Sequence, residues 1–256
     1  MMSKRPVAWV TGSGKRRVGW HIADQLAAQG YDLIIHYRSS EREAIETAAH
    51  LESRGSRVLT VQADLADESQ VTRMVEQATN WAPQIDVLVN AAAIWERKPL
   101  EEVTADDVRK HFDTNTLGTF LMCQKIGLRM VQQPTGGCII NIGDWAEIRP
   151  YLGYAAYFPS KGGVSTLTRT MAVELGTRNP RVRVNAILPG PVMLPPDLPE
   201  AERNEAINAT LVKREGTPQH VAMAALALIE NDFITGVLLP VDGGRSVYAP
   251  ENPQQE

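Results

Sequence analysis

Short apolar runs recur along this chain, and between them lie longer stretches whose apolar positions return every three or four residues. The runs fall at residues 7–10, 32–37, 57–62, 85–89, 138–142, 182–187 and 237–241. Most are continuous and do not alternate with polar residues, which is the pattern of strands buried on both faces of a parallel sheet. The helical periods fall at residues 20–29, 42–54, 68–80, 114–131 and 159–177, with a short apolar helix at 221–229. Strand and helix alternating from end to end predict an α/β chain. It forms a single Rossmann-type, doubly wound parallel sheet of about seven strands, with helices on both faces. No repeat or linker divides residues 1–248, and the polar, proline-containing residues 249–256 read as a fraying tail. The alternation breaks once. Pro189, Pro191, Pro195, Pro196 and Pro199 stiffen a segment that leads into an exposed helix at 200–212. Such an insertion after a strand's C-terminal end either covers a ligand or is an ordinary surface excursion.

The 256 residues are 43% hydrophobic and 22% charged, with a formal charge of −4, so no basic footprint for nucleic acid or an anionic membrane is present. The longest apolar run falls far short of the ~20 residues that cross a bilayer, and the N-terminal apolar stretch ends too early for a signal peptide. A cytoplasmic protein is expected. Cys123 and Cys138 form no CxxC and read as buried thiols, and the five histidines show no metal-ligand spacing.

Chemistry concentrates at the ends of the predicted strands. After the first comes Thr11-Gly12-Ser13-Gly14-Lys15-Arg16-Arg17-Val18-Gly19, where small residues bring backbone N–H groups near a pyrophosphate and a helix N-terminus follows. After the second comes Tyr37-Arg38-Ser39-Ser40. An NAD site would place an acidic residue here, whereas a guanidinium and two hydroxyls suit a 2′-phosphate, so NADPH is the expected cofactor. Asp64, followed by Leu65, is placed to touch the adenine, and Asn90-Ala91-Ala92 leaves room for a flat cofactor; either is otherwise a strand-end cap. Tyr157 and Lys161 stand four residues apart, on one face of a helix. An ammonium beside a phenol favours the phenolate, which makes a proton donor suited to neutral pH.

In their order and spacing these segments resemble the short-chain dehydrogenase/reductase family over nearly the whole chain. The anchors are Thr11-Gly12, Asn90-Ala91-Ala92, Asn115, Tyr157-x-x-x-Lys161, Pro189-Gly190-Pro191-Val192 and Val241-Asp242-Gly243-Gly244. Asp144, thirteen residues before Tyr157, stands where the family usually has serine; with the 36–40 segment and the basic glycine turn it resembles the pteridine reductases. The resemblance implies an Asp144–Tyr157–Lys161 proton-handling set, Asn115 keeping a water on the lysine, and Trp95 stacking on a pterin. Trp95 could instead be a core aromatic. The substrate-contacting arginine is Arg17 or Arg16, because the glycine turn is one residue longer than the usual spacing. Pro189, Gly190 and Val192 are implied on the cofactor, and a homotetramer is implied through the long helices at 114–131 and 159–177. The implied activity is NADPH-dependent reduction of dihydropterins. The alternative is reduction of a ketone such as an oxoacyl thioester, sugar or steroid. A non-catalytic dinucleotide-binding scaffold is disfavoured, because both tyrosine and lysine are present.

Overall fold

The computed structural model describes residues 5–248, so the expected tail at 249–256 lies outside the described residues. Seven strands make one parallel sheet: β1 (Val7–Thr11), β2 (Asp32–Tyr37), β3 (Val58–Gln62), β4 (Val87–Asn90), β5 (Gly137–Ile142), β6 (Val182–Pro189) and β7 (Leu238–Val241), in the order β3-β2-β1-β4-β5-β6-β7. Eight α-helices accompany them among the described residues: α1 (Val18–Ala28), α2 (Glu41–Ser53), α3 (Glu68–Trp81), α4 (Ala105–His111), α5 (Gly118–Gln132), α6 (Tyr157–Gly176), α7 (Glu200–Asn208) and α8 (Pro218–Glu230).

The two cores follow from the two-residue period of a strand. Trp9, Ile34, Leu88 and Ile139 point to one face and are covered by α3, α5 and α6 through Met74, Met122, Ile126 and Leu175. Val10, Leu33, Ile35, Val89 and Ile140 point to the other face and meet Ile22 and Leu26 of α1, Leu51 of α2 and Val221 of α8. The order of connection reverses between β1 and β4, and that reversal opens a crevice at the carboxyl ends of the strands. Register puts Thr11 beside Asn90, Asn90 beside Asn141 and Pro189 beside Val241, so these residues sit along one rim.

Two expectations need correction. The helix expected at 114–131 is preceded by α4, whose start is fixed by a capping box between Thr104 and Asp107. A π-helical turn, Phe112–Leu117, joins α4 to α5 and carries Asn115. The helix expected at 200–212 stops at Asn208, because the N–H groups of Leu211 and Val212 turn away to the Gly243 carbonyl at 2.8 and 3.3 Å.

Candidate active site

Asp144 leaves β5 and caps a 3₁₀ turn, Trp145–Glu147, its Oδ1 accepting from the Ala146 N–H at 2.8 Å. Tyr157 opens α6 and donates its phenolic proton to Asp144 Oδ2 at 2.9 Å. Lys161, one turn on, is 4% exposed and donates to the Ile142 carbonyl at 2.7 Å. Burial lowers the Lys161 ammonium to about 8, while the charges of Asp144 and Glu147 hold it up. Burial also raises the Asp144 carboxyl, against the hydrogen bond from Ala146 and the attraction of Lys161 and Arg245.

The expectation of an acidified phenol is overturned. Burial, and then the adjoining Asp144 carboxylate, push Tyr157 well above its ordinary value. The physical reason is that the phenol is bonded to a carboxylate, which stabilises its protonated form, while the ammonium is engaged elsewhere. Asp144 and Tyr157 thus form a buried pair that holds a proton between two oxygens.

Asn115 is buried in the π turn. Its Oδ1 accepts from the Ile94 N–H at 2.8 Å, and its Nδ2 donates to the Ile94 carbonyl and to Ser160 Oγ. The side chain therefore ties the segment after β4 to α6. Single π turns of this kind are often found at functional sites.

The glycine turn fits a dinucleotide. Gly12 has φ +64°, and a Cβ there would lie 2.6 Å from Ala92 Cα; one on Gly14 would lie 2.9 Å from Tyr37 Cβ. The Ala91 and Ala92 N–H groups both donate to Thr11 Oγ1 at 3.1 Å. Ser13 Oγ donates to the Val10 carbonyl at 2.7 Å. No side chain caps α1 at Arg17, which leaves its first-turn N–H groups facing the turn, as an anionic pyrophosphate requires. Lys15 pairs with Glu43 at 3.6 Å, and the Arg16 guanidinium lies 4.6 Å over the Trp20 ring, so Arg17 is the exposed arginine with no such engagement among the described residues. Arg38 and Ser39 are exposed at the end of β2, and Ser40 leads into α2. Asp64 takes up the cap alternative, accepting from the Ala66 N–H at 3.0 Å. Leu65 is a core residue packed beneath Gly118, and Asn90 bonds Asn141 at 2.9 Å. Gly190 passes so close to β7 that a Cβ would lie 2.5 Å from Asp242 Cα, and Val192 is buried behind it.

On the substrate side, Trp95 is 41% exposed and stacks on Tyr154 with centroids 5.2 Å apart and planes 3° apart. The core alternative for Trp95 therefore fails. Several residues went unread in the sequence. Tyr151 and Tyr154 recur at the three-residue spacing that leads to Tyr157, a signal available in the string. Arg245 stacks over Trp145 at 4.4 Å and brings positive charge toward Asp144. His111 packs edge-on to Tyr157 at 6.2 Å. His36 accepts the Gly12 N–H at Nδ1 (3.1 Å) and bonds the Ala63 carbonyl through Nε2 (3.0 Å), which fixes its tautomer and ties the glycine turn to β3. None of the last three has a local spacing that marks it, because each partner is distant in the chain.

A doubly wound sheet with a glycine cradle at its reversal point and a Tyr–Lys pair at the adjoining rim defines a nicotinamide-dependent oxidoreductase. Residues 13–246 match the family model described as Enoyl-(Acyl carrier protein) reductase. The chain is 34% identical over 245 residues to 3beta-hydroxysteroid dehydrogenase 1 of Eggerthella lenta, covering 93% of each. It is 32% identical over 237 residues to the 3-oxoacyl-[acyl-carrier-protein] reductase of Rattus norvegicus, covering 92% of this chain and 96% of that one. The crystal structure of acetoin dehydrogenase from Enterobacter cloacae superposes with a TM-score of 0.87 at 30% identity, covering 98% and 99% of the two chains. The chain belongs to the short-chain dehydrogenase/reductase family. No helix among the described residues is long and apolar enough to cross a membrane.

Proposed function

We propose that this protein is an NADPH-dependent reductase of dihydropterin-like nitrogen heterocycles, with Asp144, Tyr157 and Lys161 handling the proton. The observation that carries the reading is Asp144 Oδ2 held 2.9 Å from Tyr157 Oη. A serine hydroxyl at this position would donate to a ketone oxygen. An ionised carboxylate cannot donate, and it repels a developing oxyanion. A heterocycle offers ring N–H or amino groups that donate to a carboxylate, and ring nitrogens that accept a proton. NADPH, when bound, supplies the hydride. Tyr157 delivers the matching proton, drawing on the one it shares with Asp144, and Lys161 stands behind both with its charge and holds the nicotinamide ribose. Asn115 keeps a water on Lys161. Trp95, backed by Tyr154, offers its free face to a flat ring, and Arg17 contacts the substrate. Arg38, with Ser39 and Ser40, holds the 2′-phosphate. A homotetramer completes the reading, on the strength of the family resemblance.

A second reading is reduction of a ketone. It is favoured by the names of the relatives, a 3-oxoacyl-[acyl-carrier-protein] reductase and a 3beta-hydroxysteroid dehydrogenase. NADPH oxidation measured with dihydrobiopterin, dihydrofolate, an acetoacetyl thioester and a steroid ketone separates the two. Turnover of the pterins above the ketones is expected, and the reverse order overturns the first reading.

A further inference from the structure

Two carboxylates and three side chains of α6 form a short ladder. Tyr157, Lys161 and Ser165 recur at four-residue steps and share one face of the helix. Opposite them stand Asp144 and Glu147, three residues apart across the 3₁₀ turn, a spacing at which side chains eclipse. The first rung is the Tyr157–Asp144 bond at 2.9 Å; the second is Ser165 Oγ donating between the two Glu147 oxygens at 2.6 and 2.7 Å. Lys161 lies between the rungs, about 5–6 Å along the helix from each. Glu147 also lines an open hollow of about 380 Å³ between α6 and the ends of β6 and β7, with Thr166, Arg169 and Leu188. Nothing in the reaction outlined above uses Glu147.

We propose that Glu147, clamped by Ser165, is a positioning residue of the active site whose carboxylate acts through Lys161, keeping the ammonium charged as a second counter-charge one rung on from Asp144. A buried ammonium has lost most of its hydration, and one carboxylate bonded to a phenol is a poor counter-charge because it shares a proton. A second carboxylate, half-buried and held on the Ser165 hydroxyl, supplies the missing negative potential; burial raises its own carboxyl, against the hydrogen bond from Ser165. The charges facing this group are Asp144 ahead of the 3₁₀ turn, Lys161 and Arg169 on α6, and Arg245 after β7. His111, Tyr151 and Tyr154 surround the phenol. The inference rests on Tyr157 and Lys161 being the reacting pair and not on which substrate they serve.

The test is a ¹³C-lysine NMR titration of the free protein, with the Lys161 signal assigned by its loss in Lys161→Arg. Removing a negative charge lowers the pH at which an ammonium gives up its proton. Glu147→Gln is therefore expected to move the Lys161 midpoint down by about one pH unit, the size for one charge a helical turn away. Glu147→Asp is expected to restore it. An unchanged midpoint in Glu147→Gln, or a Glu147→Asp that behaves like Gln, overturns the proposal and leaves Glu147 a purely structural cap on Ser165. Should Glu147→Gln not fold, Ser165→Ala decides, a smaller downward shift supporting the role and none overturning it. No substrate enters the measurement, so inactivity on pterins leaves this result untouched.

Discussion

At the scale of single residues, the proposed chemistry turns on a proton held between Tyr157 Oη and Asp144 Oδ2 and on a lysine whose ammonium is lowered to about 8 by burial. Tyr157→Phe removes the proton donor but keeps the ring. Turnover is expected to fall about 10²–10⁴-fold, with little change in NADPH affinity measured by fluorescence titration. Asp144→Ser replaces a charged acceptor by a donor, and it is expected to depress dihydropterin reduction while sparing or raising ketone reduction in the same assay. Arg38 stands exposed at the end of β2, the place proposed for a 2′-phosphate. Arg38→Asp is expected to lower the preference for NADPH over NADH by about tenfold or more, because a bidentate charged partner is exchanged for a repelling one. On the proposed substrate side, Trp95 stacks on Tyr154, and Tyr151 stands edge-on to Tyr154 at 5.2 Å.

At the scale of elements, the site is built where helices begin. The glycine turn at the head of α1 is pinned by the left-handed Gly12, whose φ is +64° and whose missing side chain admits Ala92. Gly12→Ala therefore meets both a backbone penalty and a backbone clash. It is expected to abolish measurable NADPH binding while the far-UV circular dichroism stays that of a folded α/β protein. α4 is short, and the π turn that follows it carries Asn115, so this element depends on its cap. Thr104→Ala is expected to cost about 1 kcal/mol in denaturant unfolding. α7 is tied by Arg203 to Glu215, in the segment that follows it, at 2.7 Å and reaches the loop after β4 through Glu202 and Arg97 at 3.7 Å. A helix with one buried residue, Ala206, is held by such side-chain links more than by packing.

At the scale of the whole molecule, His36 joins three strand ends and is kept neutral by burial, with its midpoint lowered to about 4. A group held neutral in the fold but free to charge when unfolded contributes stability that is whole above about pH 6.5 and drains away as pH falls to about 4, by up to about 3 kcal/mol. Unfolding midpoints measured between pH 7 and 4 are expected to fall, and to fall less steeply in His36→Gln. Continuous apolar runs such as residues 7–10, alternating with helical periods, specified a parallel sheet buried on both faces, and the spacing of Tyr157 to Lys161 specified one helix face. Those are local periodicities, which a chain carries before it folds. α4 escaped notice because seven residues make only about two helical turns, too few for a periodic pattern to stand out, although Thr104-x-x-Asp107 announces its cap. What tertiary structure alone decided is which partners meet across distance. Asp144 accepts the hydrogen bond of Tyr157, so the phenol is less acidic than its neighbouring ammonium suggests, and Glu147 is held by Ser165 one turn beyond Lys161. Burial and long-range charge set those protonation states, and neither exists until the sheet has brought β5 against α6.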